Sequence, residues 1–213
     1  MRVLQVVGPK GSGKTEFCAE AAEELTEEGY RVGYVKSVGE RRLDLKSRDT
    51  GRVPADVRVG VAEEETVAFL DLDLDGALAL LALVGVDYAL VEGFRSREVG
   101  TRVDLGRDGR GPTVPLEGES PGEIVRKYAV KYTAEADCGR CGYDSCRAFW
   151  RAVARGEVSP DDCRVPENAA VLVDDRPLHL NPFVARLVRN VVGSLVRSLK
   201  GGGGERALVA VRL

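Results

Sequence analysis

Short apolar runs alternate with amphipathic stretches in the first half of the chain. Residues at three- and four-residue intervals after the first run predict a helix that ends at Gly29, and a second short helix is predicted over residues 76–84. Strand-like apolar runs occur at residues 3–7, 31–36, 66–70 and 88–91. Alternating strands and helices are typical of an α/β fold with a mostly parallel, doubly wound sheet.

The second half of the chain has a different pattern that predicts mainly helices. Five Gly and three Pro lie between residues 105 and 122, so we place a domain boundary near residue 118. Residues 120–123 have the spacing of a capping box at the start of a helix. Further helices are predicted over residues 147–155 and, from a long apolar stripe, over residues 181–199.

Composition is that of a globular protein of one or two domains. The chain has 213 residues, of which 44% are hydrophobic and 31% charged. No apolar run approaches the roughly 18 residues that a membrane-spanning helix needs. The N-terminus leads directly into the first predicted strand without an export signal. We therefore expect a cytoplasmic protein with no membrane partner.

The charge is distributed unevenly along the chain. The formal net charge of −3 argues against nucleic acid as the main partner. Residues 1–119 contain 16 basic and 23 acidic side chains, whereas residues 120–213 contain 15 basic and 11 acidic ones. The two halves therefore differ in sign, which is consistent with two units that face different partners.

A phosphate-binding motif follows the first strand. Its residues fit G-x-x-x-x-G-K-[ST] at every fixed position, and they are Gly8, Pro9, Lys10, Gly11, Ser12, Gly13, Lys14 and Thr15. The small residues let backbone N–H groups surround phosphate oxygens at a helix N-terminus. Lys14 would contact the β- and γ-phosphates, and the Thr15 hydroxyl would bind Mg²⁺. The alternative is a glycine-rich turn without a ligand.

An acidic group for the same Mg²⁺ site is predicted at Glu92. This residue follows the apolar strand of residues 88–91, at the sheet edge where ligands of parallel sheets bind. Asp87 precedes that strand and should lie at the opposite edge. Alternatively, Glu92 is a turn residue without a ligand. A polar loop before this strand could approach the γ-phosphate or could be solvated surface, and its candidate residues are Asp44, Asp49 and Thr50.

The first half of the chain resembles the MobB family of molybdopterin-guanine dinucleotide biosynthesis proteins. The resemblance rests on the N-terminal phosphate loop, on residues 32–36, on Asp44 and Asp49-Thr50, and above all on residues 87–94. It implies a P-loop NTPase fold that binds GTP and Mg²⁺. The preference for GTP over ATP rests on the resemblance alone.

The MobB resemblance also implies a role in the cell. It implies an accessory protein with slow GTPase activity, with Lys14 and Glu92 as its catalytic residues. The expected partner is the nucleotidyltransferase that joins GMP to molybdopterin, or a molybdoenzyme. Molybdopterin itself and a second copy of the chain are further partners consistent with the family.

Four cysteines in the second half form a candidate metal site. They occur as Cys138-x2-Cys141-x4-Cys146-x16-Cys163, and four thiolates suit either Zn²⁺ or an iron–sulfur cluster. A single C-x2-C pair with a third ligand at a helix start and a remote fourth favours the wider cluster. The stretch also resembles the four-iron four-sulfur (4Fe-4S) domain of corrinoid iron-sulfur proteins and RnfB subunits. Zinc and unmetallated thiols remain the alternatives.

These observations predict two domains. Residues 1–118 would form the GTP-binding domain, and residues 119–213 a small α-rich iron–sulfur domain that ends in a helix and a strand at residues 208–213. Cys18 and His179 are expected to be structural. Aromatic side chains could shield the cluster and basic ones offset its charge, namely Tyr143, Phe149, Trp150, Arg140, Arg147, Arg151 and Arg155.

Two other interpretations of the cluster stand beside this one. In the first, the cluster is the active element of an electron carrier or metallocentre-maturation factor, and the nucleotide domain controls its docking. In the second, the cluster only stabilises a domain with a small core.

Overall fold

The computed structural model describes residues 1–38, 57–106, 113–133, 135–165, 171–173, 176–178, 180 and 182–200. The predicted loop residues Asp44, Asp49 and Thr50, His179 and the predicted strand at 208–213 lie outside this part of the chain. In chain order the elements are β1 (Arg2–Val7), α1 (Lys14–Glu27), β2 (Val32–Lys36), β3 (Arg58–Val61), β4 (Thr66–Phe69), α2 (Leu74–Leu83), β5 (Tyr88–Glu92), β6 (Thr101–Asp104), α3 (Pro121–Tyr128), β7 (Val130–Lys131), α4 (Cys146–Ala154), β8 (Val171–Val173), β9 (Arg176–Leu178) and α5 (Pro182–Ser198).

A mostly parallel sheet forms the centre of the molecule. Its strand order is β2-β5-β1-β6, and all three pairings along this path are parallel. The short strand β7 pairs antiparallel with the first two residues of β1. All of β5 is buried, as are all residues of β1 after Arg2, because helices cover both faces of the sheet. The predicted α/β fold is confirmed.

The structure differs from the predicted sheet in two strands. The predicted strand at residues 66–70 is β4, which forms a separate antiparallel hairpin with β3 and takes no part in the central sheet. Both hairpin strands alternate between exposed and half-buried residues, a pattern typical of strands with one solvated face. The fourth parallel strand is β6, which the sequence analysis did not predict.

The helices bury apolar side chains on both faces of the sheet. On one face, Leu4 and Val6 of β1 belong to a buried cluster that includes residues of α1, α3 and α4. On the other face, Val3 packs with Ala89 of β5 and Leu78 of α2. The predicted capping box at the start of α3 is present between Ser120 and Glu123.

The buried cluster on the first face extends across residue 118. Helix α3 packs on α1, and α4 packs on β6. Phe17 of α1, Ile124 of α3 and Phe149 of α4 all belong to this cluster. The division into domains at residue 118 stays a prediction.

Helix α5 presents an apolar stripe at four-residue intervals. The exposed residues of the stripe are Phe183, Leu187, Val191, Leu195 and Leu199. Within the part of the chain that the structure describes, no helix has the length and apolar character needed to cross a membrane.

Candidate nucleotide and iron–sulfur sites

The phosphate-binding motif forms the turn between β1 and α1. Gly8, Gly11 and Gly13 have positive φ angles of 150°, 80° and 81°, which side chains with a Cβ rarely adopt. A Cβ at Gly8 would also lie 2.5 Å from the Ser12 hydroxyl oxygen. The backbone therefore requires glycine at these positions, and it brings the loop to the N-terminus of α1.

The polar groups of this loop fit a phosphate ligand. The Ser12 Oγ is buried and has no hydrogen-bond partner among the described residues, which is uncommon for a buried hydroxyl. Gly13 precedes α1 and offers no side-chain acceptor to the first N–H groups of the helix. The Lys14 ammonium bends back and donates to the Pro9 carbonyl at 2.6 Å. A phosphate would supply acceptors to all of these donors.

Thr15 and Glu92, the two predicted Mg²⁺ ligands, lie in direct contact. The Thr15 hydroxyl donates to Glu92 Oε2 at 2.9 Å. The hydroxyl of Tyr34 also donates to this oxygen. The Lys36 ammonium lies 3.1 Å from Glu92 Oε1 and donates to Thr15 Oγ1 at 3.0 Å. Glu92 is 5% exposed, so nearly the whole carboxylate is enclosed by these partners.

The environment of Glu92 keeps its carboxylate ionised. Burial alone would raise its pKa, but hydrogen bonds from Tyr34, Lys36 and Thr15 outweigh burial and hold the pKa below the usual range. An ionised carboxylate beside a hydroxyl is a donor set that Mg²⁺ prefers. The residues present therefore fit a Mg²⁺–triphosphate site.

Tyr34 and Lys36 were not identified as site residues from the sequence. They lie on β2, whose last residue pairs in parallel register with Glu92, the last residue of β5. Residues two apart in a strand share a face, so both side chains reach the same carboxylate. Finding them would have required the strand order. Asp87 lies at the opposite end of β5, where its carboxylate accepts from the Arg31 N–H.

A buried glutamine organises the turn that follows Glu92. Gly93 and Phe94 both have positive φ angles, of 92° and 53°. The Gln5 Nε2 of β1 donates to the carbonyls of Gly93, Phe94 and Arg97 at 2.8, 3.1 and 2.9 Å. Because Gln5 is fully buried, these bonds hold the turn, and with it the end of β5, in one conformation.

The four predicted cluster cysteines line one pocket. Cys138 and Cys141 lie on a loop, Cys146 is the first residue of α4, and Cys163 follows a short 3₁₀ turn. Cys138 is exposed, whereas Cys146 and Cys163 are buried, and all four are free thiols. The rest of the lining includes Thr133, Tyr143, Phe149, Trp150 and Val165. Aromatic shielding of this site by Tyr143, Phe149 and Trp150 agrees with the prediction.

The chemistry of this donor set fits an iron–sulfur cluster. Four thiols and an apolar lining are the usual surroundings of such a cluster. A closed zinc site needs its sulfurs about 2.3 Å from one ion. Four cysteine thiolates can hold either centre, so the choice between the two rests on the spacing of the four cysteines.

Burial favours the protonated form of two of the four cysteine thiols, Cys146 and Cys163. Burial raises the pKa of both the Cys146 and the Cys163 thiols. The Thr133 hydroxyl, 3.3 Å from Cys146 Sγ, partly opposes this rise. Because thiolates are the metal ligands, loading the site must release these protons.

Three of the four arginines expected to offset cluster charge are paired with carboxylates. The expectation that these side chains offset cluster charge stays a prediction. The pairs are Arg147 with Glu135, Arg151 with Glu98 and Arg155 with Glu157.

Strand β6 lies between the two sites. Immediately after it, the Leu105 N–H donates to the Val7 carbonyl at 2.9 Å, and Gly106 abuts Pro9 so closely that any Cβ there would collide. Strand β6 also packs against α4, which carries Cys146. One strand therefore connects the phosphate loop with the helix that begins at a predicted cluster ligand.

The fold and the loop together define a class of protein. A parallel sheet whose first strand runs through G-x-x-x-x-G-K-T into a helix is the architecture of P-loop nucleotide-binding proteins. A family model described as "Molybdopterin guanine dinucleotide synthesis protein B" matches residues 3–125, and one described as "Putative Fe-S cluster" matches residues 135–165. The chain belongs to the MobB family, and the predicted combination of a MobB domain with an iron–sulfur family segment is confirmed.

Individual relatives agree with the family assignment. A protein of Methanocaldococcus jannaschii described as "Putative molybdopterin-guanine dinucleotide biosynthesis adapter protein" is 30% identical over 229 residues, covering 94% of this chain and 93% of that protein. This alignment includes both halves of the chain. The likeness therefore extends beyond the nucleotide-binding segment.

Solved structures of MobB proteins match about half of the chain. A MobB homologue from Bacillus stearothermophilus is 32% identical over 51% of this chain and 66% of its own, with a TM-score of 0.40. Bacillus subtilis MobB is 26% identical over 49% of this chain and 67% of its own, with a TM-score of 0.42.

Proposed function

We propose that the chain binds GTP and Mg²⁺ as an accessory protein in the biosynthesis of the molybdopterin guanine dinucleotide cofactor. Membership of the MobB family supports the pathway, and so does the name of the M. jannaschii relative. Partners of this kind are the nucleotidyltransferase that joins GMP to molybdopterin, or a molybdoenzyme. Molybdopterin itself and a second copy of the chain are further candidates.

One observation carries the nucleotide proposal. The loop of residues 8–15 presents an unpartnered buried hydroxyl, and immediately beside it Thr15 and Glu92 are already within 2.9 Å of one another. Backbone N–H groups of residues 8–15 would bind the phosphates. Thr15 and Glu92 would hold Mg²⁺, which neutralises phosphate charge when bound. Lys14 would stabilise negative charge on the β- and γ-phosphates.

The same residues support slow hydrolysis. Lys14 would stabilise the charge that develops on the γ-phosphate as its bond to the β-phosphate oxygen breaks and water attacks. Glu92 would keep the metal in position through its fixed carboxylate. These roles hold the metal and stabilise charge, and none of them activates the attacking water, so we expect turnover to be slow without a partner.

Glu92→Gln tests the metal assignment. We expect the Kd for GTP measured by calorimetry to rise about tenfold in the presence of Mg²⁺, because one charged metal ligand is lost. In EDTA, the variant should bind GTP at least as tightly as the wild type does, because the Lys36 ammonium then has no carboxylate to neutralise. Glu98→Gln is the matched control, since Glu98 pairs with Arg151 away from the loop. An undiminished effect of Mg²⁺ in Glu92→Gln would refute the assignment.

We further propose that Cys138, Cys141, Cys146 and Cys163 ligate a 4Fe-4S cluster. The shared pocket, the apolar lining and the match to an Fe-S family model support this. We also retain the proposal of two domains, residues 1–118 and 119–213, with the nucleotide site in the first and the cluster in the second.

A second candidate function is that of an electron carrier or maturation factor controlled by nucleotide. The position of β6 between the phosphate loop and α4 favours it. If the two sites are coupled, the reduction potential of the cluster or the affinity for its partner should differ between the GTP- and GDP-bound protein, because coupling is reciprocal. Equal potentials in redox titration, together with equal partner affinities in the two states, would count against this function.

A further inference from the structure

Lys36 contacts both residues of the proposed Mg²⁺ site. We propose that its ammonium group is an internal counter-cation: it neutralises Glu92 while the metal is absent and must leave when Mg²⁺ binds with the nucleotide. This inference rests on the proposed nucleotide function, and it concerns a residue outside the phosphate-binding motif.

The contacts of Lys36 are those expected of a cation in a metal position. Its Nζ lies 3.1 Å from Glu92 Oε1 and 3.0 Å from Thr15 Oγ1, the two groups assigned to Mg²⁺. The parallel register of β2 and β5 places Lys36 directly opposite Glu92. The backbone thus fixes this arrangement.

Charge balance explains why a cation is needed there. Glu92 is almost completely buried, and a buried carboxylate without a partner is strongly destabilising. Tyr34 donates a hydrogen bond to Glu92 but carries no positive charge. Lys14 of the phosphate loop donates to the Pro9 carbonyl. In the part of the chain that the structure describes, Lys36 is the cation that forms an ion pair with Glu92.

The position of Lys36 also allows it to leave. Its side chain is 42% exposed, in contrast to 6% for the side chain of Glu92. A flexible lysine side chain can therefore turn into solvent, while the carboxylate stays where the turn after β5 holds it. Two cations cannot occupy the same pair of oxygen ligands, so binding of Mg²⁺ requires that Lys36 release Thr15 and Glu92.

The test compares GTP affinity with and without metal. The measured quantity is the Kd in EDTA divided by the Kd in Mg²⁺, obtained by calorimetry. We expect Lys36→Met to raise this ratio about tenfold. The Kd in Mg²⁺ should fall because the metal no longer competes with an ammonium group. The Kd in EDTA should rise because the uncompensated Glu92 repels the triphosphate. Lys36→Arg keeps the charge and should leave the ratio within about threefold of the wild type.

Two further variants complete the design. Lys36→Gln keeps a hydrogen-bond donor for the carboxylate, and it should show the same increase if the Met variant does not fold. Lys127→Met is the surface control, because Lys127 pairs with Glu119 away from the site. Its ratio should equal that of the wild type.

The outcomes separate this inference from the proposed function. A wild type that binds GTP with Mg²⁺, together with an unchanged ratio in Lys36→Met and Lys36→Gln, would overturn the inference alone. An equal increase in Lys36→Arg would also overturn it, since charge would then not be the cause. A wild type that binds no GTP under either condition would overturn both proposals.

Discussion

We expect Lys14→Ala to lower the affinity for GTP at least about 100-fold. The ammonium group would bind two phosphates, and hydrogen bonds to charged groups contribute about 1.5–3 kcal/mol each. Losing two such bonds corresponds to at least about two orders of magnitude in Kd. Among the described residues, the Lys14 ammonium donates a hydrogen bond to the Pro9 carbonyl alone. The substitution should therefore cost the folded state little stability. Calorimetric titration with GTP in Mg²⁺ measures the change.

A second lysine variant controls for general loss of charge. Lys127→Ala removes an exposed ammonium that pairs with Glu119 on α3, and GTP affinity should not change. If Lys14→Ala bound GTP as tightly as the wild type did, the phosphate-binding role of the loop would be rejected.

The second large effect concerns the cluster. We expect Cys163→Ala, purified without oxygen, to retain less than about a quarter of the wild-type iron and sulfide, because a 4Fe-4S cluster needs all four of its cysteine ligands. Sixteen residues separate Cys163 from Cys146 in sequence, yet Cys163 lines the same pocket as the other three cysteines. Chemical analysis and the visible absorption spectrum report the loss.

The chain offers a matched control for this experiment. Cys18 is a buried free cysteine of α1, and burial raises its pKa to about 12, so it stays an unreactive thiol. Cys18→Ala should keep the full iron content. Stoichiometric zinc without iron in the wild type would instead support the zinc alternative.

The features predicted from sequence are those determined by local chemistry. The motif around Lys14 and the helix that follows it need only residue types at fixed spacing. The capping box at Ser120 is likewise confined to a few neighbouring residues. For the same reason, the α/β class could be predicted from alternating apolar runs, without knowledge of which strands pair.

The features that were missed depend on which strands pair. Strand β4 was expected in the central sheet, but it pairs with β3 in a half-exposed hairpin. The roles of Tyr34 and Lys36 follow from the parallel pairing of β2 with β5. Apolar pattern alone does not determine strand order. The contacts of Tyr34 and Lys36 with Glu92 therefore could not be predicted from the sequence.

The arrangement of the two sites has a mechanical consequence. Phe17 of α1 and Trp150 of α4 belong to one buried cluster, together with Cys146 and Cys163. The segment after β6 also abuts the phosphate loop at Pro9. A change in the loop upon nucleotide binding would therefore be transmitted through packed side chains rather than across a flexible linker.

The proposed function requires that a single chain carry both a Mg²⁺–GTP site and an iron–sulfur cluster. Native mass spectrometry of protein purified without oxygen, with Mg²⁺ and GTP added, tests this claim most directly. We predict one dominant species whose mass equals that of the chain plus a 4Fe-4S cluster, one GTP and Mg²⁺. A spectrum of chains that lack either iron and sulfide or nucleotide under these conditions would contradict the account.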